Sequence, residues 1–581
     1  MKNVTLTING KEVTVPENYT AMQAAESIGI NVPRLCFLKD INETSACRMC
    51  VVEVEGARGG LSNSCALAIY DGMKITTKNK KITDSVRQNL ELLASNHIFE
   101  CWACEREQSC EFLDLMRRYQ VENPYGESTD FFKKPRRIND SSNTIVLDSG
   151  KCILCGRCIN ACHEKTGLDI LDFNDRGNGT YVGPANFHAM EDSGCINCGA
   201  CITACPVAAI KEQSEIDVVM DDLEDPNKTV IVTIHPAVTV ALGEEFGAPI
   251  GMNVEKKMYT SLKHVGVNDI VDPDLANKLT KIEQAKELIN RFEQDGPLPM
   301  LTSCSHSFVN YVEQYKTDYV PHLTSTKTPQ QMAGAISKHY YAEKIGYEKE
   351  NISFVSIVPS IAKKDEAKRD NMQFGGIRDV DHVLTTREYG RLLKRKGINL
   401  FDIEDSEAFG RLSEFDDTPY FFTDAKSSLQ GTLDAVNSLL EKDKVTLDFT
   451  KVRNIDNAYE ATFTLNNQEI QVAAVTGILN IQEFLERIHT SRKKYHLIEF
   501  ATHEFGCVDE GGQPIQPARI QDYVDIQAKR KAALKEQDIA DRTIFNDYIK
   551  NLYDEYLEEP GSKKAGKLLH TAFHKQTFYN Q

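Results

Sequence analysis

Fifteen of the seventeen cysteines in this chain fall before residue 206, in short spacings suited to metal ligation rather than disulfides. Cys36, Cys47, Cys50 and Cys65 form a C-x10-C-x2-C-x14-C array, four thiolates of the kind that hold a 2Fe-2S cluster. Zinc is the alternative, since four thiolates suit it too. His97, Cys101, Cys104 and Cys110 form H-x3-C-x2-C-x5-C and are expected to hold a 4Fe-4S cluster. A lone histidine is ordinarily structural, but His97 stands about one helical turn from Cys101 and beside two further thiols. A neutral imidazole in place of a thiolate makes such a site less negative, which should raise its potential.

The third signal is doubled: Cys152, Cys155, Cys158 and Cys162 repeat as Cys195, Cys198, Cys201 and Cys205, each a C-x2-C-x2-C-x3-C run. This is similar to the two-cluster bacterial ferredoxins, in which the fourth cysteine of each run crosses over. Cys152, Cys155, Cys158 and Cys205 should then hold one 4Fe-4S cluster, and Cys195, Cys198, Cys201 and Cys162 the other. Pro206 follows the second run as that pattern expects, while His163 stands in its place after the first. Four clusters exceed the need of a single-site reaction and together read as an electron relay.

These ligands need rigid elements to position them. Val4, Leu6 and Ile8 alternate into Asn9-Gly10 and then Val13 and Val15, which predicts a hairpin. Val86, Leu90 and Leu93 mark a helical face behind Thr83 and Asp84 as candidate caps. From residue 228 to about 500, apolar runs end at polar loops in KTVIVTIHPA, LPMLTSCSHS, ISFVSIVPSIAKK and YHLIEFATHEFGC, with helical stretches such as 279–293 between them. That alternation predicts α/β units with parallel sheets and ligands gathered at the carboxyl ends of strands, so the four loops are expected to meet. From residue 521 the chain reads as helical, with Phe545, Tyr548, Ile549, Leu552 and Tyr556 on one face.

With 581 residues the chain is too long for one core. Its formal charge of -18 argues against a nucleic-acid binder, which needs a basic patch to neutralise phosphate. No segment approaches the ~20 apolar residues of a membrane helix, and the opening MKNVTLTINGKEV does not resemble a signal peptide. A cytoplasmic location without membrane insertion is expected.

The segments HPAVTVALGEEFG, PQQMAGA, AKKDEAKR, DVDHVLTTRE and GGQP, together with the front-third arrays, give the chain its clearest likeness: it resembles the iron-only (FeFe) hydrogenases nearly end to end. The resemblance implies an α+β multi-domain chain. Its expected parts are a β-grasp 2Fe-2S ferredoxin-like domain (1–80), a His-ligated 4Fe-4S domain (81–125) and a bacterial 2x4Fe-4S ferredoxin domain (126–218). A two-lobed α/β hydrogenase-like domain (219–520) and a helical small-subunit-like extension (521–581) would follow.

In that family the remainder holds the H-cluster, a 4Fe-4S cube joined by a bridging cysteine to a diiron centre carrying CO and cyanide. Its ligand loops read close to T-S-C-C-P, M-P-C-x-A-K-K and E-x-M-A-C-P-G-G-C-x-x-G-G-G-Q-P. Here Ser305, Ser360 and His503 stand where three ligands belong, and Cys507 alone remains, at the bridging position. Cys304 matches a proton-transfer cysteine and Lys363 a lysine that contacts a diatomic ligand. Gln284 replaces a proton-path glutamate, Glu510 a glycine near the diiron centre, and AKSSLQGTLDA the family's A-T-G-G-V-M-E-A segment. Two serine oxygens and an imidazole are poor substitutes for three thiolates. No H-cluster is expected, and Cys304, His306, His503 and Cys507 are read as cavity packing, with a lone zinc or similar metal as the alternative.

The expected function is therefore an iron-sulfur electron-transfer subunit of an NADH-, ferredoxin- or formate-linked oxidoreductase. Its partners would be flavin- and NAD-binding complex-I-like subunits, with ferredoxin or a dehydrogenase subunit as further carriers. No G-x-G-x-x-G fingerprint is present, so nucleotide chemistry belongs to a partner. Two alternatives stand: a redox or gas sensor on the same scaffold, and an active ferredoxin hydrogenase with substituted ligands.

Overall fold

Asn9 and Gly10 both take positive φ, 49° and 81°, the tight turn that right-twisted strands ask of a two-residue hairpin. Strands Asn3–Ile8 and Lys11–Pro16 pair across it with Leu6 opposite Val13. In this computed structural model, residues 2–57, 60–122, 135–410, 422, 424–465, 468–537 and 543–576 are described. The boundary expected at 125/126 lies outside them. The chain forms two compact units: residues 1–193, 200–211 and 515–524, and residues 194–199, 212–514 and 525–581.

The first unit opens with a five-stranded sheet ordered Lys11–Pro16, Asn3–Ile8, Lys74–Thr76, Val51–Val54, Leu61–Asn63. Its inward faces close over helix Ala21–Glu26, started by Thr20 and Gln23 in a reciprocal capping box, and Cys50 and Cys65 belong to that core. Helix Lys80–Ala94 follows and buries Ile82, Val86, Leu90 and Ala94. Its cap is Asn79, whose side chain accepts from Ile82 N at 2.9 Å, rather than Thr83 or Asp84. Both of those lie inside the helix, because an asparagine four residues earlier satisfies the first free N–H groups.

The second unit holds two sheets. The first is wholly parallel, ordered Asp269–Val271, Thr229–Ile234, Ile352–Val358, His382–Thr385. The second is mixed: Met300–Thr302, Leu497–Ala501 and Gln468–Thr476 run parallel, but Ala458–Leu465 and Thr450–Lys451 are antiparallel. The expectation of parallel sheets holds for the first sheet and for three strands of the second, and fails at the other end of the second for a simple reason. Only residues 466 and 467 separate strands Ala458–Leu465 and Gln468–Thr476, far too few for a parallel crossover.

Helices Pro273–Glu293, Pro329–Ile336 and Ala425–Leu439 contribute to the main core of this unit, the first burying Leu275, Leu279, Ile282 and Leu288. The tail is helical in pieces, Ile526–Glu536, Asp547–Leu552 and Lys563–Leu569. Ile549 and Leu552 are buried in the same core, with Phe545, Tyr548 and Tyr556 packed partly against it. His570 is structural, bonding Ser325 Oγ at 2.7 Å and Glu283 at 2.9 Å. Among the described residues no helix is long and apolar enough to cross a membrane.

Candidate functional site

In the first unit three arrays close on themselves. Cys36, Cys50 and Cys65 are buried and Cys47 half-buried. A hydrogen bond with Cys36 draws the Cys47 thiol down to about 6, and one with Cys50 draws Cys65 down to about 7. Cys36 and Cys50, the donors, are pushed far up, and each also feels the thiol of the opposite pair. The four sulfurs therefore share one small space. Ser45 Oγ adds a contact to Cys65 Sγ at 3.1 Å, which no cysteine spacing could reveal.

His97, Cys101, Cys104 and Cys110 line one cavity of about 20 Å³, walled by Phe99, Phe112 and Lys151. Cys110 also caps helix Glu111–Tyr119, its Sγ accepting from Leu113 N at 3.4 Å. Cys152, Cys155, Cys158 and Cys205 line a second cavity of similar volume, about 20 Å³, which is the crossed-over set the doubled run predicts. Cys162 and Cys201 lie on helices Arg157–Thr166 and Ala200–Ala204 of the same unit. Cys195 and Cys198 lie in residues 194–199 and belong to the second unit.

The residues that hold these loops together were not legible in the motifs. Arg157, within the first run, is buried and donates to the Cys36 carbonyl at 3.2 Å, the Phe37 carbonyl at 3.0 Å and the Glu111 carboxylate at 2.8 Å. Asn42 Nδ2 donates to the carbonyls of Cys36 at 2.7 Å and Cys155 at 3.0 Å. Two buried side chains thus tie the first array to the third.

In the second unit the loops after four strands, Thr229–Ile234, Met300–Thr302, Ile352–Val358 and Leu497–Ala501, do meet. His235, Ser303, Cys304, Pro359, Ser360, Lys363, Gly506, Cys507 and Glu510 line one cavity of about 110 Å³. Ser305 is buried and faces Thr502, hydroxyl to hydroxyl at 2.8 Å. His503 donates from Nε2 to the Cys198 carbonyl at 3.0 Å, and its Nδ1 lies 3.2 Å from the Glu510 carboxylate. Burial alone would lower His503, but the Glu510 charge overrides it and raises the imidazole to about 9. Burial acts upward on Glu510 in turn, and the imidazolium more than offsets it, so the carboxyl titrates below its ordinary range. These two substitutions, read separately in the sequence, form one buried ion pair.

Lys363 is committed to Thr328 Oγ1 at 2.8 Å and Glu366 at 2.9 Å. Gln284 accepts from Lys281 at 3.0 Å and Thr432 at 3.1 Å, so its oxygen is used up in neutral and charged donors and offers no titrating proton. His306 is fully buried near Asp365 and Glu366, at 3.5 and 3.8 Å.

The surviving Gly-Gly-Gln-Pro has a steric reason. A Cβ on Gly511 would fall 2.5 Å from the Cys198 carbonyl, and one on Gly512 2.5 Å from the Pro359 carbonyl. Gln513 donates to the Ala237 carbonyl at 3.0 Å and accepts from Thr386 at 2.9 Å. Gly511→Ala should therefore cost about 1–3 kcal/mol of stability, as overpacking does. A melting curve coinciding with that of the unmodified protein would contradict this contact.

The chain matches the family described as iron only hydrogenase large subunit, C-terminal domain, over residues 228–512, and iron hydrogenase small subunit over 524–576. Residues 1–80 match a 2Fe-2S iron-sulfur cluster binding domain, 151–209 a 4Fe-4S dicluster domain, and 87–124 the NADH-ubiquinone oxidoreductase-G iron-sulfur binding region. Iron hydrogenase 1 of Clostridium pasteurianum is 34% identical over 98% of this chain and 100% of its own. NADP-reducing hydrogenase subunit HndD of Solidesulfovibrio fructosivorans is also 34% identical, over 99% of this chain and 100% of its own. Among solved structures, apo [FeFe]-hydrogenase HydA1 from Chlamydomonas reinhardtii, as a variant, aligns with a TM-score of 0.55 at 29% identity, covering 62% of this chain and 99% of that one. A chain with 2Fe-2S and 4Fe-4S domains ahead of such a fold, matched end to end by these relatives, belongs to the iron-only hydrogenase large-subunit family.

Proposed function

We propose that this member of the family is an electron-transfer subunit rather than a hydrogenase. The observation that carries the reading is the buried His503–Glu510 pair, in which His503 stands, like Ser305 and Ser360, at a position that resembles a cofactor-ligand position of the family and Glu510 replaces a glycine. Ser305 is engaged by Thr502, and His503, donating from Nε2 to the Cys198 carbonyl with Nδ1 held 3.2 Å from the Glu510 carboxylate, carries a proton on each ring nitrogen as an imidazolium and has no lone pair for iron. The donor set does not fit the H-cluster. No hydrogen chemistry is assigned to this cavity.

The front-third donors fit iron-sulfur clusters: four thiolates line one small cavity, and three thiolates with the His97 imidazole line another. We assign Cys36, Cys47, Cys50 and Cys65 to a 2Fe-2S cluster. His97, Cys101, Cys104 and Cys110, then Cys152, Cys155, Cys158 and Cys205, and finally Cys195, Cys198, Cys201 and Cys162 take three 4Fe-4S clusters. When bound, such clusters accept and release single electrons. The chain's own residues fix their spacing, as Arg157 and Asn42 do, and set their potential. His97→Cys should lower the potential of its centre by on the order of 100 mV, because a thiolate adds negative charge. An EPR-monitored titration that finds no change would remove His97 from the ligand set.

Donor and acceptor must then lie on other polypeptides. The NADH-ubiquinone oxidoreductase-G match and the likeness to a subunit of an NADP-reducing hydrogenase support flavin- and nucleotide-binding partners of the complex-I type. Ferredoxin or a further dehydrogenase subunit would complete the circuit, in the cytoplasm. The test is isolation of the native assembly without oxygen, with every co-eluting chain identified by mass spectrometry. Flavin- and nucleotide-binding subunits are expected, and a chain that elutes alone would overturn the subunit reading.

A further inference from the structure

Two cysteines take no part in the relay. Cys304 follows strand Met300–Thr302, and Cys507 sits in the turn Gly506–Asp509, so the ends of two neighbouring strands bring them to one cavity wall. Both are half-buried free thiols, and they meet side chain to side chain, Cys507 donating a hydrogen bond to Cys304.

The turn that carries Cys507 is held from both sides. Its carbonyl accepts from Gln513 at 3.3 Å, and Val508 is buried in a small core with Ala237 and Val240. Ser303, just before Cys304, is fixed by donating to the Phe500 carbonyl at 2.8 Å. Each sulfur is thus presented by a braced backbone on the same cavity wall.

We propose that Cys304 and Cys507 are a redox-active pair that forms a reversible disulfide by exchange with a small-molecule disulfide. The inference rests on the reading that the cavity does not bind the family's cofactor. In the first step the Cys304 thiolate attacks one sulfur of the external disulfide, forming a mixed disulfide and releasing one small thiolate. In the second, Cys507 loses its proton to solvent and displaces the second small thiolate from Cys304. One external S–S bond is broken and one internal S–S bond formed, two electrons pass to the small molecule, and the two protein thiol protons end on its two sulfurs.

The surroundings suit these roles. The hydrogen bond from Cys507 lowers Cys304 despite burial and despite Glu499 and Glu510, with Lys363 helping, so Cys304 is the nucleophile. The same bond, with burial, holds Cys507 protonated until the exchange calls on it. The exchange needs no iron and would make the cavity responsive to the thiol-disulfide balance around it.

The test uses full-length, cluster-loaded protein equilibrated without oxygen in mixtures of reduced and oxidised glutathione, then quenched with an alkylating agent and mapped by mass spectrometry. A peptide linked between Cys304 and Cys507 should grow with the oxidised fraction and vanish on return to reduced glutathione, with iron content unchanged. Cys507→Ser should trap the mixed disulfide with glutathione on Cys304, and Cys304→Ser should leave Cys507 alkylatable throughout. Two separately alkylated thiols in the most oxidising mixture, or a link formed only after iron is lost, would overturn the proposal. Infrared bands of iron-bound CO and cyanide in maturase-treated protein would instead overturn the underlying reading of the cavity.

Discussion

Cys198→Ser should abolish electron transfer between the partner proteins, whereas Cys507→Ser should leave it within about twofold. Loss of residues that merely support a metal ligand costs about 10–100-fold, so loss of a ligand in series should cost at least about 100-fold. Cys198 stands in the second C-x2-C-x2-C-x3-C run, and its own carbonyl is bonded by His503 while Gly511 packs against it. Serine keeps that backbone intact and exchanges only sulfur for oxygen, which separates the proposed ligand role from the packing role. Cys507 belongs to the cavity and to none of the four arrays. The measurement is the rate of partner-to-partner electron transfer in the reconstituted assembly, with the EPR signals counted in parallel. A large loss at Cys507 would mean that the cavity takes part in the circuit, and an unchanged Cys198→Ser protein would take the second run out of it.

Short cysteine spacings group residues that the fold also brings together, and two of the arrays close into cavities lined by the residues so grouped. The meeting of four loops was legible for the same kind of reason, since apolar runs ending in polar turns fix where strands stop. What was not legible is long-range pairing. Arg157 reaches Glu111 and the Cys36 and Phe37 carbonyls across gaps of 46 to 121 residues, which no local pattern encodes. Thr83 and Asp84 offer the same capping chemistry one turn after Asn79, and only the hydrogen bond from Ile82 N singles Asn79 out. His503 and Glu510 each read as a loss, of a cysteine and of a glycine, and only the fold shows that the two losses compensate.

That compensation predicts the second large effect. In the folded chain His503 titrates at about 9 instead of its ordinary 6.5. A raised folded value stabilises fully below about pH 6.5 and is lost as pH climbs through 9. Glu510 is lowered from 4.5, so its contribution is present above that pH and lost as pH falls. Glu510→Gln should therefore destabilise most between about pH 4.5 and 6.5, by roughly 3 kcal/mol from the His503 shift at about 1.4 kcal/mol per unit. The gap from the unmodified protein should narrow steadily toward pH 9. His503→Ala strands the carboxylate instead and should cost about 3–5 kcal/mol at neutral pH, the usual penalty for orphaning a buried charge. Removing both charges together, as His503→Ala with Glu510→Gln, should recover most of that loss, because the cost lies in the unpaired partner and not in the pair. Melting temperatures of the four proteins across pH 5–9 decide it: additive losses, or a gap that ignores pH, would mean that the two side chains do not act as one ion pair. Non-additivity with the stated pH slope would mean that the family's metal site has been rebuilt as a structural ion pair, each half of which makes the other necessary.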